Sequence, residues 1–79
     1  MGYFNSQQMI DRVCDYRGLS KIKKNSKCVV DGRSGKVVGG NNSANLNVKF
    51  DDTGQVLNCH PGWRMKIFGE DGDILHQSE

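Results

Sequence analysis

The chain has 79 residues, 35% of them hydrophobic, with eleven Lys and Arg against nine Asp and Glu for a formal net charge of +2. That length holds one small domain over residues 1–79, with an economical core and little interior from which to carve a catalytic pocket of ordinary size. Charge is polarised along the chain: residues 1–49 carry nine basic and three acidic residues, a net of +6, whereas residues 50–79 carry two and six, a net of −4.

The first predicted element is a short helix over 5–18. Asn5 or Ser6 caps it, with Gln8 three residues after Asn5 as in a capping box. Met9, Ile10, Val13 and Cys14 then make one apolar face, and Gly18 is the stop signal. Residues 19–27 come next as an exposed basic linker with Lys21, Lys23, Lys24 and Lys27 and a single apolar residue, Ile22, between them.

From Lys27 onward the apolar period becomes two. Cys28 and Val30 define a first strand, and Asp31-Gly32-Arg33-Ser34-Gly35 is turn chemistry. Lys36-Val37-Val38 is a second strand, ended by Gly39 and Gly40. Asn45 to Phe50 alternates with Leu46, Val48 and Phe50 on one side, and Asp51-Asp52-Thr53-Gly54 is a hairpin turn. Gln55 to Cys59 and Arg64 to Phe68 supply two more strands, separated by His60-Pro61-Gly62-Trp63, and Ile74-Leu75 adds an edge pairing. The expected fold is mainly β (α+β): an N-terminal helix, then a small antiparallel SH3-like barrel of about five strands over 28–75.

The glycine-rich stretch does not fit a phosphate-cradling P-loop. Gly35-Lys36 is succeeded by Val37 rather than Ser or Thr, and the residues beyond it have strand character, not helix. Its glycines are expected at turns and at a sharp bend. The segment "VVDGRSGKVVGGNNSANLNVKFD" instead resembles a KOW-type segment of an SH3-like barrel, over about residues 28–51. The longer string "GKVVGGNNSANLNVKFDDTGQVLNCHPGW" is similar to small bacteriophage and prophage proteins of enteric bacteria. The first resemblance implies binding to nucleic acid or to a nucleoprotein machine; the second implies a source and little mechanism.

No arrangement for catalysis stands out. Cys59 and His60 are neighbours on a strand, so their side chains diverge and do not form a nucleophile–base pair. Cys14, Cys28 and Cys59 lack the paired spacing of a metal site or a disulfide framework, and no cofactor motif is present. The expectation is a non-enzymatic, reduced, cytoplasmic protein with no membrane span: no apolar run exceeds three residues. Two binding surfaces are candidates. Lys21, Lys23, Lys24, Lys27, Arg33 and Lys36 form a basic rim suited to phosphates. His60, Trp63 and Arg64 form a polar-aromatic patch suited to a protein partner, for instance a host protein that the chain binds or inhibits. Tyr3, Phe4 and Tyr16 lie nearest the lysines in sequence but are not interleaved with them. A homodimer through the amphipathic helix is compatible with either surface.

Overall fold

The computed structural model describes residues 6–78. It contains one helix, α1 (Gln7–Arg17), and six strands: β1 (Ser26–Val30), β2 (Arg33–Gly40), β3 (Leu46–Phe50), β4 (Val56–Cys59), β5 (Met65–Phe68) and β6 (Ile74–Gln77). All strand pairs are antiparallel, in the order β4-β3-β2-β1-β5-β6.

This order corrects the expected barrel. The first four strands form a meander, and β5 returns to pair with β1, but β4 and β6 do not pair with each other. The sheet is therefore open, with two edge strands of four residues each, a length that limits edge-to-edge association.

Helix boundaries follow local chemistry. Ser6 is the N-cap, its Oγ accepting from the Met9 N–H at 3.3 Å. The alternative cap, Asn5, lies outside the described residues, as do Tyr3 and Phe4. At the other end Gly18 adopts φ +68, and the Leu19 N–H donates to the Cys14 carbonyl at 2.9 Å. The apolar face of the helix packs on one side of the sheet, where Ile10, Val13 and Cys14 join Cys28, Val30, Val37, Leu46, Val48, Phe50, Met65 and Ile67 in the core. That stripe is buried within the chain, so it is not available for the helix-mediated homodimer.

Gly40 makes the helix–sheet approach possible. A Cβ there would stand 2.6 Å from Val13 Cγ2 and 3.0 Å from the Met9 carbonyl oxygen. The bend expected at this glycine pair is present as a register shift between Val37 and Gly39 against β3.

Residues 19–27 are not a free linker. Ile22 is completely buried in the core. Gln7 holds the segment from the helix side: its Nε2 donates to the Ile22 carbonyl at 2.7 Å, and its Oε1 accepts from the Lys24 N–H at 2.6 Å. A lone apolar residue among lysines carries no periodicity, which is why the sequence pattern reads as solvent-exposed. β1 also begins earlier than expected, at Ser26, because Ser26 and Lys27 already pair with Val37 and Lys36.

The turn between β1 and β2 is tighter than the five-residue turn expected. Only Asp31 (φ +51) and Gly32 (φ +80) leave the strands, as in a two-residue hairpin with both central residues left-handed. Gly35 is an ordinary strand residue and lies close to β3: a Cβ would sit 2.8 Å from the Lys49 carbonyl oxygen. The loop 41–45 is organised by Asn41, whose Oδ1 accepts from the Ser43 and Asn45 N–H groups at 3.0 and 3.1 Å. Arg17 secures it from the helix, donating from Nε to the Ala44 carbonyl at 2.6 Å.

Candidate nucleic-acid interface

Because strand residues alternate sides, burying one face of this sheet turns the other outward. The register then decides which outward residues meet. Lys27 on β1 is directly opposite Lys36 on β2, and Lys36 is directly opposite Lys49 on β3. Three lysines thus form a continuous row across three adjacent strands, and all three are exposed. Val56 on β4 extends the row at one end. In the neighbouring outward row, Val29 is opposite both Ser34 and Lys66, and Lys66 is opposite Gln77.

None of the six strands contains an Asp or Glu; among the described residues the acidic ones lie on the helix and in the turns. The ion pairs among the described residues are Lys23–Glu70, Arg33–Asp52 and Arg64–Asp31, so Lys27, Lys36, Lys49 and Lys66 take part in none. Side chains directly opposite on antiparallel strands have Cβ atoms about 5 Å apart, and like charges so placed destabilise a sheet. The row is an electrostatic liability for folding.

Asparagines occupy the other end of this face. Asn58 Nδ2 donates to Asn47 Oδ1 at 3.0 Å, and Asn45 Nδ2 donates to Asn58 Oδ1 at 3.2 Å. Asn45 and Asn47 both belong to this hydrogen-bonded ladder.

The six basic residues singled out in the sequence separate into groups. Lys27 and Lys36 lie in the row, and Lys24 stands with Lys27 on the wall of a depression at the end of β5. Lys23 is paired with Glu70 at 3.0 Å. Lys21 sits beside Asp11 and Asp15 at the helix. Arg33 has the opposite parity from Lys36: its guanidinium stacks over Phe50 at 4.2 Å from the ring centroid and donates to Asp52 at 3.1 Å. That hydrogen bond and charge hold the Asp52 carboxyl below the usual carboxylate range. Lys49 and Lys66 were not among the candidates. Their signal is the alternation L-N-V-K-F and M-K-I-F, which turns a lysine outward in each strand, but only the register puts Lys49 beside Lys36.

The second candidate patch is assembled by a tight turn. His60 Nδ1 accepts from the Gly62 N–H at 2.9 Å, and the His60 carbonyl accepts from the Trp63 N–H at 3.0 Å. The imidazole is thus engaged in the turn. Trp63 is 51% exposed and does not belong to the buried core. Arg64 lies near its ring, 5.8 Å from the centroid, and donates to Asp31 at 3.0 Å.

Burial raises the pKa of all three thiols, that of Cys28 to about 12, where the nearby Cys59 and Asp51 add to the effect. A thiol so held is a poor nucleophile at neutral pH. Among the described residues, no group of three or more His, Cys, Asp or Glu side chains is placed to hold a metal ion, and no helix is long and apolar enough to cross a membrane. Comparison with protein-family models, curated proteins and solved structures returned no match.

Proposed function

We propose that this protein binds nucleic acid, free or within a nucleoprotein machine, through the outer face of its sheet, with backbone phosphates along Lys27, Lys36 and Lys49. The observation that carries the reading is the cross-strand row itself: three adjacent exposed lysines, none in an ion pair, on strands that contain no acidic residue. A row that weakens the sheet by self-repulsion is explained by a polyanionic ligand.

The test is fluorescence anisotropy with labelled single- and double-stranded DNA and RNA across a salt series. Binding should weaken steeply with salt, and Lys27→Gln, Lys36→Gln and Lys49→Gln together should lower the slope of log K against log[salt] by about 2–3, roughly one per phosphate contact removed. Absence of binding to all four ligands at low salt would refute the reading.

A second reading rests on Trp63. Trp63 is half exposed with Arg64 near its ring, and Trp and Arg are among the residues enriched at protein-binding hot spots. If the partner is a protein engaged there, Trp63→Ala should abolish capture while the triple lysine variant leaves it intact at moderate salt.

A further inference from the structure

The lysine row ends beside an aromatic ring. β1 and β5 pair with Cys28 opposite Ile67, so Lys27, which precedes Cys28, and Phe68, which comes after Ile67, reach the same margin of the outer face. There they line a depression of about 570 Å³, together with Lys23, Lys24 and Glu70. Phe68 is only partly buried and is not in the core cluster. The pairing of β5 with β6 shifts register between Ile67 and Phe68, where Phe68 pairs with Ile74 and Leu75 is the extra residue on β6. Lys24 and Lys27 are exposed and in no ion pair, while the Lys23 ammonium and the Glu70 carboxylate, which also line the depression, pair with each other at 3.0 Å.

From this arrangement we infer that the depression takes one unpaired nucleobase, stacked on Phe68, while the phosphates flanking it lie against Lys24 and Lys27 and continue along Lys36 and Lys49. The preferred ligand is then single-stranded nucleic acid rather than duplex. Each part rests on chemistry. An aromatic face at the end of a cationic track is the combination that binds single strands without reading sequence. A duplex keeps its bases stacked on each other and has none to offer Phe68. The depression is within the size range of small-ligand sites and admits a base with its sugar. The Lys23–Glu70 pair leaves Lys24 and Lys27 as the unpaired cations of the depression, and Lys27 continues into the lysine row.

The inference rests on the proposed nucleic-acid binding, and its test separates the two. Affinity is measured by anisotropy for a thymidine oligonucleotide, for an oligonucleotide of the same length made entirely of abasic sites, and for a duplex, with the wild-type chain and with Phe68→Leu. The expected result is roughly ten-fold or greater preference of the wild type for the base-bearing single strand over the abasic one. Phe68→Leu should erase that preference and leave duplex binding and the salt slope unchanged. Equal affinity of the wild type for abasic and base-bearing strands, with a steep salt slope, would overturn the base pocket and leave the phosphate-binding row standing. Binding of none of the three at low salt would overturn both. Should Phe68→Leu fail to fold, as judged by circular dichroism, the comparison of the two single strands with the wild type still decides.

Discussion

The two faces of the one sheet are built by the same strands and obey opposite rules. In β3, Leu46, Val48 and Phe50 are buried, whereas Asn47 and Lys49 alternate with them on the other side. On the inner face every neighbour relieves a cost: apolar area leaves water, and the helix covers what the strands leave open. On the outer face the central neighbours impose one, because Lys27, Lys36 and Lys49 repel each other and take part in no ion pair among the described residues. A surface shaped by folding alone would disperse or neutralise those charges. The contrast teaches that the inner face explains why the chain folds, and the outer face is where to look for what it binds.

The contrast breaks most visibly on the inner side. Ile22→Ala removes a fully buried side chain that ties the basic segment to the core. It should cost about 2–5 kcal/mol in urea or thermal unfolding. Lys24→Ala, two residues away and exposed, should change stability by no more than about 0.5 kcal/mol. Gly40→Ala tests the helix–sheet contact next. Its Cβ would meet Val13 and the Met9 backbone, and overpacking against a backbone oxygen should cost about 1–3 kcal/mol.

The outer side should respond with the opposite sign. Lys36→Thr relieves repulsion with both Lys27 and Lys49 and places a β-branched residue in a strand, so unfolding should show a gain of about 0.2–1 kcal/mol. The same variant should weaken nucleic-acid binding. A variant that is both more stable and less able to bind is the signature of a functional liability, and one that loses stability would count against this account of the face.

The smallest effect concerns the Arg33–Asp52 pair at the sheet margin. Since the folded state holds the Asp52 pKa below its ordinary value, the pair's contribution is present above that ordinary value and disappears as pH falls through the lowered one. Thermal melts from neutral to strongly acidic pH should therefore decline slightly less for Asp52→Asn than for the wild type. The group is exposed, so the difference between the two curves should be slight.

Much of the inner face was legible in the sequence. Met9, Ile10, Val13 and Cys14 carry a helical period, and Leu46, Val48 and Phe50 a period of two, because each element must bury one side. Ile22 was not legible, since a single apolar residue among lysines has no period to reveal what it packs against. The outer face was legible only in part. Lys27 and Lys36 were recognised as basic candidates, but proximity in sequence also grouped them with Arg33, which strand parity turns to the other side against Phe50. Trp63, read in the sequence as part of a polar-aromatic patch, is half exposed.

What the sequence determined by itself was the local grammar: the Ser6 and Gly18 signals at the helix ends, a turn beginning at Asp31-Gly32, though not its length, and the alternation that commits each strand to an apolar and a polar side. These depend on backbone conformation and on neighbours within a few residues, which the order of amino acids specifies directly. Only the tertiary structure decided that the sheet stays open, that Lys49 completes the row begun by Lys27 and Lys36, and that Phe68 stands at its end. Those relations join residues distant in the chain through strand register. Register is set by how the whole buried face packs, so no single segment contains it.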